Sequence, residues 1–399
     1  MSIDDDDHRS LGRRMDLFHM QEEAPGMVFW HPRGFRLFRV LEERIRRRVR
    51  ADGYDEVRCP QVLAEPIWRA SGHWEHYAEG MFCLEHDERR YALKPVNCPG
   101  HAQIFRRMAA SYRDLPVRLA EIGLCHRREP SGSLLGLMRL SQFSQDDGHV
   151  FCAPEHVGDE IARFCGALGS LYAELGFDDV EVALSLRPPD RAGDDAVWDR
   201  AEAWLEEAAR GAGLSFERQP GQGAFYGPKL EFALRDRRGR VWQCGTIQLD
   251  LVLPERFDLE YVDASGKRRR PVMLHRALLG SLERFIAVLL EHHRGALPAW
   301  LAPEQVAVAS IAHDHVEYGR EVVARLDSAG VRAELDARSE SLARKIVDAR
   351  GRGVPVLVAV GRREVEGRSL RLRERDGAQR ELALDDAVSQ LARLCAPAA

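Results

Sequence analysis

The sequence predicts an α+β protein in which an antiparallel sheet with helices around it is followed by a smaller α/β domain. Two patterns predict this. Short runs with strand-like character at residues 117–151, 180–186, 229–235, 240–251 and 257–262 are separated by turns and by one helix near 196–212. Beyond residue 300, strand and helix instead alternate. With 399 residues the chain exceeds the size at which single cores stop growing, so a large domain over residues 1–300 and a small one over 301–399 are expected.

Each element follows from its own pattern. Leu37, Phe38, Leu41, Ile45 and Val49 recur at helical spacing, and Gly53 closes the segment, which predicts an amphipathic helix over 34–50 leading into a strand at 56–58 that Pro60 ends. Glu129-Pro130-Ser131-Gly132-Ser133 is rich in turn residues and divides 117–151 into the arms of an antiparallel hairpin. Pro298, Trp300 and Pro303 form a stiff connection. After it come strands at 306–311, 331–335 and 354–360 and helices at 316–329 and 342–350, which predicts a largely parallel sheet.

Composition excludes several classes. Hydrophobic residues are 45% and charged residues 30% of the chain, as in a soluble globular protein. No apolar run is long enough for a membrane span, and the eight cysteines form no CxxC pair, so a soluble protein of a reducing cytoplasm is expected. Net charge is −5, so nothing points to DNA, and any RNA must be held by local patches. The acidic run at residues 4–7 reads as a solvated tail. There is no GxxxxGK[ST] loop, and Gly221, Gly223 and Gly227 have the spacing of a tight turn and not of a dinucleotide fingerprint.

Two groups of residues could carry chemistry. Arg127, Arg128, Arg139 and Arg284 come from separate elements and would suit a polyanion if they converge, although each alone is an ordinary surface ion-pair residue. Cys98, His149 and His275 could hold a metal, but their wide separation favours a buried thiol and two satisfied histidines on spacing alone. Asp146-Asp147-Gly148-His149 places carboxylates beside an imidazole, which suits a metal site and an ordinary turn alike.

Six ordered motifs carry a resemblance: residues 15–32 (MDLFHMQEEAPGMVFWHP), Asn97-Cys98-Pro99-Gly100-His101, Cys125-His126-Arg127-Arg128-Glu129-Pro130-Ser131-Gly132, residues 223–229 (GAFYGPK), Gln243-Cys244-Gly245-Thr246-Ile247-Gln248, and His275-Arg276-Ala277. From Asp7-His8-Arg9 to about Leu384 the chain resembles bacterial-type threonyl-tRNA synthetases, a class II aminoacyl-tRNA synthetase family. The resemblance implies a class II antiparallel sheet followed by an anticodon-binding domain, and activation of threonine with ATP before transfer to tRNA(Thr). It implies Cys98, His149 and His275 as ligands of one Zn2+ per subunit, and Mg2+ with ATP. Arg127, Glu129, Arg139, Gln243, Thr246, Ser281 and Arg284 match positions that hold ATP. Gln145, Asp147, Tyr226 and Gln248 match positions around threonine, and His73 matches a residue that assists proton transfer at the terminal ribose of tRNA. Glu364 and Arg373 match positions linked to anticodon bases, and a homodimer through the 34–60 region is implied.

Departures from the family pattern qualify this. Editing domains precede Asp7-His8-Arg9 in full-length relatives and six residues precede it here, so a truncated form that mischarges serine without clearing it in cis is expected. Leu140-Ser141-Gln142-Phe143 replaces a stretch that usually holds another arginine and a glycine, and Val96 replaces a common methionine. Residues 338–346 (RSESLARKI) lack the usual asparagine, lysine and glycine. Arg344, Lys345, Arg350, Arg352, Arg362 and Arg363 could grip phosphates or form a solvated face. A ligase acting on a carrier or small molecule, a specialised inhibitor-tolerant copy and a non-catalytic regulator are the alternatives.

Overall fold

The computed structural model describes residues 5–108, 110–236 and 239–397, so Asp4 of the acidic run lies outside the described residues. The chain packs as two compact units, one formed by residues up to 20, 28–41 and 289 onward, the other by 21–27 and 42–288. Packing thus groups two N-terminal stretches with the residues after 289, which a single cut near residue 300 does not anticipate. Among the described residues no helix is long and apolar enough to cross a membrane.

The larger unit is built on an eight-stranded sheet in the order Glu217–Gln219, Glu181–Ser185, Lys229–Arg235, Val241–Asp250, Val272–Ser281, Gln142–Cys152, Val117–His126, Asp55–Glu56. All internal pairs are antiparallel and the two edge pairs are parallel. The hairpin is present as Val117–His126 and Gln142–Cys152. Because successive side chains on a strand face opposite ways, one face carries Gly245, Phe232 and Leu278 and the other Phe151, His149 and His275. The helices Val157–Glu174 and Asp195–Gly211 cover the first face, where Phe164 meets Phe232 edge-on at 5.8 Å and Tyr172 donates to Leu278 O at 2.8 Å. On the second face the helix Cys98–Arg107 packs Phe105 flat on Phe151 at 4.3 Å, which brings its first residue, Cys98, against the sheet.

Several details differ from the sequence expectation. The helix Val157–Glu174 and the strand Val272–Ser281 are additional elements. The strand expected at 56–58 is the two-residue Asp55–Glu56, and that expected at 257–262 is only Tyr261–Val262, because Leu253–Arg256 is helical and Tyr261–Val262 pairs with Arg268–Arg269 in a separate ribbon.

In the smaller unit a five-stranded sheet runs in the order Ala333–Asp336, Val306–Ser310, Val356–Val360, Ser369–Glu374, Gln379–Ala383. Its first two pairings are parallel and its last two antiparallel, so the sheet is mixed and not largely parallel. Alternate residues feed two cores. Val306, Val308, Val356 and Val358 pack with Val322, Leu326, Leu384 and Leu391 from the helices Val316–Ser328 and Leu384–Cys395. Ala307, Ala309 and Leu357 pack with Ala349 of the helix Leu342–Gly351. The chain end supplies two strands and a helix that complete this layer and that periodicity did not announce.

Trp198 is buried in the helix Asp195–Gly211 and its indole donates to Ala192 O at 2.8 Å. Replacing it with alanine removes the ring and orphans that carbonyl, so Trp198→Ala is expected to lower the unfolding free energy of the larger unit by about 3–5 kcal/mol. Urea titration with an unchanged slope but a lower midpoint checks this.

Candidate active site

One cavity of about 250 Å3 opens on the face of the large sheet that carries His149 and His275. Arg127, Glu129, Arg139, Gln145, Gln243, Thr246, Gln248, Ser281 and Arg284, drawn from five separate parts of the sequence, all line it. The register explains the convergence, since Ser281 lies opposite Gln145 and Thr246 opposite Ala277, which itself lies opposite Asp147.

Positive charge is concentrated there. Arg127 Nε donates to Pro95 O at 3.2 Å, and its guanidinium lies 5.0 Å from the Phe143 ring centre. Arg284 donates to Met138 O at 2.8 Å and to Gln243 O at 3.1 Å. Burial above all, with Arg127 and Arg139 nearby, lowers the pKa of Arg284. Among the described residues no carboxylate forms an ion pair with Arg127 or Arg284, whereas Arg139 pairs with Glu129 at 2.8 Å and Lys229 pairs with Glu231. Thr246 Oγ1 is buried in the cavity wall without a hydrogen-bond partner.

The wall beside Ser281 is a bulge, with the register shifting between Ala277 and Ser281. Gly280 adopts φ +72° there, and a Cβ would lie 2.5 Å from Cys244 O, so no other residue fits without a shift. The bulge is held by Asp146, whose carboxylate accepts from the N–H groups of Leu278 (2.8 Å), Leu279 (3.1 Å) and Gly280 (2.8 Å). Burial pushes Asp146 up to about 7, against the opposing effect of Arg276 and these donors. Glu283 accepts from Ser144 N at 2.9 Å and from Ser281 Oγ at 3.0 Å, and burial pushes it too up to about 7.

Next to the cavity, Cys98, His149 and His275 are all buried, and their donor atoms lie within 4.8 Å of one another. His149 Nε2 and His275 Nδ1 are 3.0 Å apart, and burial raises the Cys98 thiol and lowers His149. A cysteine sulfur and two imidazoles that converge while buried are a donor set that fits zinc. Tyr226 joins the two regions: its ring stacks on His275 at 4.9 Å and its hydroxyl donates to Gln248 Oε1 at 2.7 Å. Asp147 accepts from Asn97 Nδ2 at 2.9 Å, and burial raises its pKa. His73 is buried, bonded through Nδ1 to Ser71 Oγ at 2.8 Å and edge-on to Phe225, and burial lowers it to about 3.

The sequence motifs include Lys229, Phe143 and Asn97 without giving them a role, and they do not reveal a buried group behind the metal candidates. Lys94 Nζ donates to Glu121 Oε1 at 2.7 Å, and His101 Nε2 lies 3.3 Å from Glu121 Oε2. Burial would raise Glu121, but the hydrogen bonds from His101 and Lys94 prevail and hold it at about 2.

In the smaller unit Glu364 is buried and turned inward: it accepts from Gly361 N at 2.9 Å, capping its own helix, and Arg371 lies 3.4 Å away. Arg373 is on the strand Ser369–Glu374, half-buried, with Nε unpartnered. Two of the basic residues suggested for phosphates are otherwise engaged. Lys345 is buried and donates to Ser310 O and Asp336 O, and Arg352 pairs with buried Glu304 at 3.1 Å.

The family description "tRNA synthetase class II core domain (G, H, P, S and T)" matches residues 82–293. The chain belongs to the class II tRNA synthetase family. "Anticodon binding domain" matches residues 305–394, so the class II core is followed by the second domain of that architecture. The chain is 53% identical over 390 residues to the threonine–tRNA ligase of Gluconobacter oxydans, covering 97% of this chain and 60% of that protein. It is 54% identical over 396 residues to that of Granulibacter bethesdensis, covering 98% and 62%. It therefore spans about three fifths of the length of these curated relatives. The crystal structure of the RNA-binding domain of threonyl-tRNA synthetase from Cryptosporidium parvum superposes with a TM-score of 0.95 at 40% identity, covering 98% of this chain and 99% of that one.

The Lys94–Glu121 pair within this class II core is fully enclosed, so Lys94→Met, which leaves Glu121 buried without its cation, is expected to destabilise the larger unit by about 3–5 kcal/mol. Glu121 titrates lower when folded than when unfolded, so its contribution is complete above its ordinary value near 4.5 and is lost as the pH falls toward about 2. Denaturant midpoints of wild type and Lys94→Met should therefore converge across that window.

Proposed function

We propose that the chain carries out threonine–tRNA ligation, with residues 1–300 as the catalytic domain and 301–399 as the anticodon-binding domain. The observation that supports it most is the placement of Arg127 and Arg284 around one cavity with no carboxylate partner among the described residues, which leaves two half-buried positive charges for a polyphosphate.

In this reading Arg127 clamps the threonine carboxylate and the ATP α-phosphate while a carboxylate oxygen attacks the α-phosphorus, forming the mixed anhydride and releasing diphosphate. Arg284 binds the γ-phosphate end, with Mg2+ accompanying the triphosphate. Glu129, Arg139, Gln243, Thr246 and Ser281 line the nucleotide side, and Gln145, Asp147, Tyr226 and Gln248 hold threonine. A terminal ribose hydroxyl of tRNA then attacks the acyl carbon and AMP leaves, with His73, neutral at ordinary pH, available to assist the proton's transfer. Cys98, His149 and His275 would hold zinc, which supplies a Lewis-acidic position able to take the substrate's amine and β-hydroxyl and so to disfavour valine. Glu364 and Arg373 are the proposed anticodon contacts, and a homodimer is proposed from the family likeness.

Threonine-dependent ATP–pyrophosphate exchange followed by aminoacylation of total tRNA tests this. Exchange should be strong with threonine, about 10- to 200-fold weaker with serine, and weaker still, by about 10,000-fold, with valine. Arg284→Ala should lower exchange by about 100- to 1000-fold. Activation without transfer to any tRNA would instead identify a ligase for another acceptor, and absence of exchange would sink the catalytic reading. Stripping zinc with a chelator should abolish the preference for threonine over valine, and its persistence in metal-free protein would count against zinc selection.

A further inference from the structure

We propose that Asp250 and His101 are positioning residues that fix complementary tautomers on His275 and His149, so that one nitrogen of each ring is left as a lone pair facing Cys98. This rests on the zinc reading of Cys98, His149 and His275.

The assignment follows from which groups can only accept. Asp250 Oδ2 lies 2.8 Å from His275 Nε2, so that nitrogen carries the proton and Nδ1, the atom facing His149, is the free donor. The carboxylate cannot swing away, because its other oxygen accepts from Val252 N at 2.7 Å and Leu253 N at 2.9 Å. On the second ring the chain is one step longer. Glu121 accepts from His101 Nε2 at 3.3 Å, which turns His101 Nδ1 toward His149 Nδ1 at 2.8 Å; with His101 Nδ1 as the acceptor of that bond, His149 Nε2 is left free. Both second-layer groups therefore point the two lone pairs, 3.0 Å apart, at the same place. Metal-bound histidines commonly gain orientation and basicity from such partners.

Cys59, His101 and Glu121 also lie close enough together to suggest a second metal site. The Lys94 ammonium already occupies Glu121 Oε1, and His101 Nδ1 faces His149, so this group supports the first site and is not a site itself.

The test is zinc binding by competition with a chromogenic chelator, together with the visible absorption of Co2+-loaded protein, which reports the ligand field at the two histidines. Asp250→Asn keeps an oxygen for Val252 and Leu253 but presents an amide donor to His275 Nε2, reversing the tautomer. His101→Phe keeps a ring and removes the acceptor for His149, leaving the Asp250 cap untouched, so it decides the matter should Asp250→Asn fold poorly. Each is expected to weaken zinc binding about 10- to 100-fold and to shift the Co2+ spectrum, measured at a temperature where circular dichroism shows the metal-free variant folded, since His101→Phe also takes a hydrogen bond from buried Glu121. Cys83→Ser, at an exposed thiol, should change nothing. Folded variants that hold zinc as tightly as wild type would overturn the inference alone, and so would two zinc ions per chain. A wild-type protein that binds no zinc would overturn the zinc reading itself.

Discussion

The antiparallel pairing of Val272–Ser281 with a strand on each side is the constraint on which the site depends. Its register sets His275 against His149 on one flank and Gln248 on the other, and two residues on sets Ala277 against Asp147 and Thr246. Because side-chain direction repeats every two residues, a slip of one position would send every one of these groups to the helix-covered face. The bulge after Ala277 is the one break in this ladder, and it turns Ser281 toward the cavity just before the helix that carries Arg284.

Placing so many polar groups in a buried row carries a desolvation cost, and the surrounding residues offset it by hydrogen bonding. Asp146 is met by three backbone N–H groups, Asp250 by two and an imidazole, Glu121 by an ammonium and an imidazole, and Glu283 by a backbone amide and a hydroxyl. In the cavity itself Thr246 Oγ1 has no hydrogen-bond partner, and Arg127 and Arg284 have no counter-ion among the described residues.

Helical and alternating periods made the hairpin, the helix Pro32–Ala51 and most of the second domain legible in the sequence. Val272–Ser281 was not, because a strand buried on both faces shows no alternation of apolar and polar residues, and His275-Arg276 splits its apolar residues into two short pieces. The helix Val157–Glu174 was legible in principle, since Val157, Ile161, Phe164, Leu168 and Leu171 recur at helical spacing. The cavity-lining arginines and the cysteine–histidine group could be recognised only through family motifs, since their contacts cross the sheet and leave no local spacing to read. Lys345 shows the opposite limit: charge in a helix suggests a solvated face, but its ammonium is consumed by two carbonyls inside the domain.

The departures from the family pattern fall on positions with identifiable local work. Phe143, in the altered stretch after the second arginine motif, lies beneath the Arg127 guanidinium, and Ser141 accepts from Arg127 N at 2.8 Å while donating its own N–H to Gly26 O. An aromatic face can steady a guanidinium without neutralising it, unlike a carboxylate, so the substitution preserves the positive charge of the cavity while changing what holds it. A missing arginine in that stretch then leaves Arg127 with less like-charge repulsion than a second cation would impose. The altered residues thus change how the positive charge of the cavity is supported, and the charge itself stays where the register of the sheet puts it.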